Sequence, residues 1–176
     1  MKTIGVFALV GVVGVGAVHA QVTVRSPEAE ASKEEQLASP MVLDFPIPQE
    51  LLSLARPGSP KPPTVRLPMP DFEKYVCENV KIRSITLIAQ APDKKGSIHL
   101  QGNFTLTVKA GGDRLVHFEL AVVSGERTIA RQLVARIDAE ERKTKTKRLS
   151  LDIAAAALAS EPPPTFRITM DVRDNS

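Results

Sequence analysis

The sequence predicts an all-β protein built as an antiparallel sandwich, and three observations carry that prediction. Beyond Asp71, apolar residues recur at every second position in several separate runs. Gly, Asp and Ser turns punctuate those runs. Prolines are crowded ahead of them, ten of the fourteen lying between Gln21 and Pro70. Successive side chains of a strand point to opposite faces, so a period of two describes a sheet with one dry and one wet face.

Residues 1–20 read as a signal peptide. Lys2 supplies a short positive start, an apolar run follows from Ile4 to Val18, and Val18-His19-Ala20 closes it with small residues where a signal peptidase requires them. The run is too short for a bilayer core of ~30 Å, which takes about 20 apolar residues. Cleavage after Ala20 leaves 156 of the 176 residues and lowers the formal net charge from +3 to +2 as Lys2 departs. The expected destination is the periplasm or the extracellular space.

Residues 21–70 read as a proline-rich, extended and largely disordered linker. Proline fixes φ and removes a backbone donor, so Pro46/Pro48, Pro60/Pro62/Pro63 and Pro68/Pro70 interrupt any continuous ladder or long helix. Two apolar islands stand in it. Met41, Leu43, Phe45 and Ile47 have strand spacing, and Gln49–Ala55 has the length of two helical turns opened by Pro48.

Residues 71–176 form the expected domain. Val80 and Ile82 are followed by Ile85, Leu87 and Ala89, a change of phase near Ser84 that predicts a bulge. Ile98, Leu100, Gly102, Phe104, Leu106 and Val108 make the cleanest run, and Val116, Phe118, Leu120 and Val122 repeat it after Gly111-Gly112-Asp113. Read as a hairpin with a three-residue loop, these two runs place Val108 opposite Val116, Leu106 opposite Phe118 and Phe104 opposite Leu120, which keeps both dry faces together. Thr128 to Ile137 is less regular. Leu149, Leu151 and Ile153 form a short run, Asp152 stands where a cap would open a helix through Ala154–Ala159, and Phe166, Ile168, Met170 and Val172 end the series. Six to seven strands of this kind suggest a sandwich of immunoglobulin or fibronectin type III style.

Composition narrows the function. Aromatics make up 4% of the chain and Trp is absent, which leaves little for stacking on sugars or single-stranded nucleic acid. A small net charge gives no field of the strength a dedicated nucleic-acid binder uses. Cys77 is the only cysteine, so an intrachain disulfide framework and a multi-cysteine zinc site are excluded, and the expected role is a buried small hydrophobe. His99 and His117 both fall on wet positions, and the hairpin register sets them too far apart to share an ion. Ser124-Gly125 lacks the flanking glycines of a nucleophile elbow, and Glu140-Glu141 sits beside Arg142-Lys143 rather than in an apolar pocket. No catalytic, cofactor or metal site is therefore expected.

Three surface features remain. The basic run 142–148, with Lys143, Lys145 and Lys147 on one strand face, reads either as an edge guarded by lysine or as a contact for a polyanion such as anionic lipid, polysaccharide or nucleic acid. The island Met41, Leu43, Phe45 and Ile47 reads either as a strand of its own domain or as one donated to a neighbour. Asn103-Phe104-Thr105 fits the glycosylation sequon, a pattern short enough to arise by chance. The expectation drawn from all of this is a non-enzymatic exported module with a protein partner in the cell envelope or outside the cell, or alternatively a polyanion binder through 142–148.

Overall fold

A computed structural model describes residues 21–23, 34–58 and 60–175; the predicted signal peptide lies outside them. The chain forms β1 (Gln21–Thr23), β2 (Glu35–Leu37), β3 (Met41–Pro46), α1 (Gln49–Ala55), β4 (Thr64–Leu67), β5 (Tyr75–Cys77), β6 (Val80–Gln90), β7 (Ser97–Val108), β8 (Arg114–Ser124), β9 (Arg127–Ala139), β10 (Thr144–Ala154), a 3₁₀ turn (Ala155–Ala159) and β11 (Thr165–Asp174). One sheet has the order β1-β3-β11-β8-β9. The other has the order β10-β7-β6-β5-β2, with β4 also pairing β6. The ladders are antiparallel apart from β1–β3 and β2–β5, which are parallel, so both sheets are mixed at one end.

The predicted alternation holds in burial. Ile98, Leu100, Phe104, Leu106, Val108, Val116, Phe118, Leu120, Phe166, Ile168 and Met170 are fully shielded in one continuous core, and the sheets meet across it. Phe104 of β7 stacks on Phe118 of β8 with centroids 3.9 Å apart, while Phe45 of β3 contacts Phe72 at 5.5 Å and Phe166 of β11 at 5.3 Å. Offset and edge-to-face contacts of this kind add about 0.5–1.5 kcal/mol beyond the area they bury.

The hairpin expected between residues 98–108 and 116–122 does not form. β7 pairs with β6 and β10, whereas β8 pairs with β11 and β9. Gly111 and Gly112, with φ of +91° and +84°, carry the chain from one sheet to the other. Equal parity places both runs against the core; it cannot say whether they lie side by side or face to face. The tight hairpin is instead β8–β9, where Ser124 pairs Arg127 and Gly125 takes φ +58° in a two-residue turn.

The linker reading of residues 21–70 is corrected from Met41 onward. Leu43 pairs with Ile168 and Phe45 with Phe166, so β3 is a full member of its sheet, and Leu51 and Leu54 of α1 are buried. The strand total exceeds the six or seven expected because β1, β2, β4 and β5 are only three or four residues long, too short for a period to register. Helix α1 occupies the predicted Gln49–Ala55 behind Pro48, and the bulge falls between Ile82 and Ser84. Asp152 caps nothing: it lies within β10, and the 3₁₀ turn follows Ala154 without a side-chain cap.

Gly102 marks the tightest backbone approach. A Cβ there would fall inside van der Waals distance of the Thr86 carbonyl oxygen on β6, so the position is closed to side chains.

Candidate functional site

The basic run divides between a turn and a strand. β10 begins at Thr144, so Lys143 lies outside it. Lys145 and Lys147 share parity with Leu149, Leu151 and Ile153, which places them on the core-facing side of an edge strand, opposite Leu106 and Phe104. Charges placed there oppose further strand addition. Glu140 gathers the first two lysines: its carboxylate accepts from Lys143 Nζ and, at 2.7 Å, from Lys145 Nζ. These hydrogen bonds hold the Glu140 carboxyl down at about 2. The three lysines therefore do not form the common ridge that the sequence suggested, and two of them are neutralised within the chain.

The outward residues of β10 are Thr144, Thr146, Arg148, Ser150 and Asp152, the even-numbered set. The β7 and β10 hydroxyls pair across the ladder, Thr105 with Thr146 and Thr107 with Thr144, each at 3.1 Å. Further along, Arg66 of β4, Ile88 of β6, Gln101 of β7 and Ser150 of β10 form one transverse row by register, and Thr86, Asn103 and Arg148 form the next. A shallow recess of about 590 Å³ lies between β6, β7 and β10, lined by Ile88, Gln101, Asn103, Arg148 and Ser150 above Gly102 and Leu149. Ile88 is one of the two large apolar side chains most open to solvent among the described residues, at 46%.

His99 donates from Nδ1–H to Asp152 Oδ1 at 2.6 Å. Sequence reasoning missed this pair because Asp152 had been read as a cap. The even parity of Arg148, Ser150 and Asp152 was available from Leu149, Leu151 and Ile153; the β7–β10 pairing that completes the set was not. A His–Asp pair can orient a proton acceptor. Here Asp152 is 72% exposed, and a solvated pair of this kind contributes about 0–1 kcal/mol to stability. His117 lies on β8 opposite Asp171, in the other sheet, so the two histidines stand on different faces of the molecule. Among the described residues no group of three or more His, Cys, Asp or Glu is placed to hold a metal ion.

The remaining sequence candidates fall into structural roles. Met41, Leu43, Phe45 and Ile47 are buried in their own core, so the segment offered for donation is used within the chain. Cys77 is buried, and desolvation pushes its thiol up to about 11. Ser124 Oγ donates to the Pro162 carbonyl at 2.6 Å. Asp44 receives a two-pronged contact from Arg167, at 2.7 and 2.8 Å, which ties β3 to β11 on the outer face and raises the Arg167 pKa.

Strand β9 explains its irregular pattern by its position. It is the outer strand of its sheet, its pairing with β8 shifts register twice, and Arg136 takes φ +54°. Gln132, on the core-facing parity opposite Leu120, reaches across the sandwich so that its Oε1 accepts from the Ser150 N–H of β10 at 2.5 Å. Leu133 points the other way and is 59% exposed. Another groove, of about 580 Å³, runs between α1 and the 3₁₀ turn, with Leu52, Ala55, Arg56 and Leu158 along it.

No protein-family model matches the chain, and no curated protein matches it.

Proposed function

We propose that the protein is an exported, non-enzymatic module of immunoglobulin or fibronectin III style that assembles with another protein in the cell envelope or outside the cell. The observation that supports this most is the outer edge of β9. This strand runs for thirteen residues, pairs with β8 alone among the described residues, and carries Leu133 exposed at its middle. Beyond the Gln132 contact to β10, this side of β9 carries no backbone ladder, so its main chain can offer hydrogen bonds to an added strand, and an apolar side chain beside it offers an anchor. The exported location rests on the signal-like composition of residues 1–20.

The test is partner capture from the native compartment by the wild-type chain and by Leu133→Asp. The variant should keep the thermal midpoint of the parent and lose the captured protein. Equal capture by both forms would remove β9 as the binding edge.

A further inference from the structure

We propose that the outer face of β4, β6, β7 and β10 binds an acidic polysaccharide, a polymer of carboxylated sugars, through Arg66 and Arg148. This goes beyond assembly at β9, which lies in the other sheet, and it moves the polyanion contact of segment 142–148 from its lysines to its outward arginine.

Arg66 and Arg148 are both exposed, and neither forms an ion pair among the described residues. The two transverse rows that contain them, Arg66–Ile88–Gln101–Ser150 and Thr86–Asn103–Arg148, hold no carboxylate. Lys81 meets Glu34 at 3.1 Å and Glu73 at 3.7 Å, and Arg83 meets Glu73 at 3.3 Å. Asp152, hydrogen-bonded to His99, stands one row beyond Ser150. Within the two rows themselves the charge is carried by the two guanidiniums.

Geometry and chemistry choose the ligand. Three strand spacings of ~4.8 Å and one same-face step of ~7 Å separate the two arginines by roughly 16 Å at the backbone. The guanidinium is a planar fork that fits a carboxylate with two parallel hydrogen bonds. Between the forks lie Gln101, Asn103, Ser150 and Thr86, whose amides and hydroxyls both donate and accept, as sugar hydroxyls do. The recess of about 590 Å³ beside Ile88 gives a ring or exocyclic carbon a place to rest. The two rows contain no aromatic side chain, so a neutral glycan has nothing to stack on and charge must carry the affinity. An extended chain of acidic sugars crossing the strands supplies carboxylates at both ends of the span and hydroxyls between them.

The experiment measures binding of the purified full chain to immobilised polygalacturonate as a function of salt. Four further proteins accompany the wild type: Arg66→Gln/Arg148→Gln, Asn103→Ala, Gln101→Ala, and the control Arg127→Gln/Arg131→Gln, which removes the same charge from β9. The first double variant should lose roughly tenfold or more in affinity, and its salt slope should shrink by about two, one for each lost charge contact. The control should stay within about twofold of wild type, because its arginines lie on the other sheet, outside the two rows that carry the contact. Asn103→Ala and Gln101→Ala should weaken polygalacturonate binding and leave retention on dextran sulfate unchanged, which separates sugar recognition from bulk charge. The proposal is overturned if wild type is not retained at low salt, or if the control loses as much as the Arg66/Arg148 pair. It is equally overturned if the arginine-dependent ligand proves to be anionic phospholipid vesicles and not the polyuronate. Partner capture through Leu133 is read out separately, so either result can fail without the other.

Discussion

The stacked pair Phe104–Phe118 is where the arrangement of the sheets can be measured. The two rings sit on different sheets, 3.9 Å apart at an interplanar angle of 12°, and both are fully buried. Truncating either to alanine should cost about 3–5 kcal/mol, the usual range for a buried phenylalanine. That is a large share of the roughly 5–15 kcal/mol by which a domain of this size is stable. Leucine is the gentler probe, expected to cost about 1–3 kcal/mol at each site. The informative quantity is the coupling: Phe104→Leu, Phe118→Leu and the double variant form a thermodynamic cycle, and direct ring contact predicts about 0.5–1.5 kcal/mol of interaction. Urea unfolding followed by circular dichroism supplies all three values, provided the slopes agree among variants. A coupling indistinguishable from zero, about 0.3 kcal/mol or less, would mean that the rings do not meet and that β7 and β8 are not facing strands.

Three other predictions follow from single positions. Gly102→Ala should destabilise the chain by about 1–3 kcal/mol or more through overpacking against the Thr86 carbonyl, read as a lowered urea midpoint, and an unchanged midpoint would deny the close approach. The Glu140 carboxyl, followed by NMR, should titrate near 2, and Lys143→Gln/Lys145→Gln should move it up toward 4.5. Because its folded pKa is depressed, this contact supports the fold fully above pH 4.5 and loses its contribution as pH falls through about 2; a wild-type midpoint near 4.5 would show the clamp to be open. Cys77, with its thiol pushed up to about 11 by burial, should resist a thiol reagent at pH 8 in native protein and react promptly in urea, whereas rapid native labelling would contradict its burial.

How much of this was legible in the sequence depended on which physical signal each residue carries. Alternation reports the environment of a side chain, so Leu100, Leu106, Phe118 and Leu120 could be assigned to the dry face and proved buried there. Alternation reports nothing about the neighbour across the ladder. Phe104 was therefore matched with Leu120 in an imagined hairpin, when its ring lies over Phe118. Proline density argues against structure before residue 71, and it is correct about interruption but not about burial: β3 starts just after Pro40 and ends on Pro46, and its six residues suffice to place Met41, Leu43 and Phe45 in the core. The basic run was visible as charge, yet Glu140 had to fold back onto Lys143 and Lys145 before its meaning changed. Arg66 and Arg148 are separated by more than eighty residues, and only the ladders β4–β6, β6–β7 and β7–β10 bring them to one face.

The pairing of β3 with β11 has a consequence for how the protein is made. Asp44 finds Arg167 across 123 residues of sequence, and Leu43 finds Ile168 beside it. During synthesis the early strand waits, with its apolar side chains unsatisfied, until β11 leaves the ribosome. Contacts so distant in sequence form slowly and late. The sheet therefore closes only once β11 has settled between β3 and β8, and that strand is the latch that commits the fold to its finished shape.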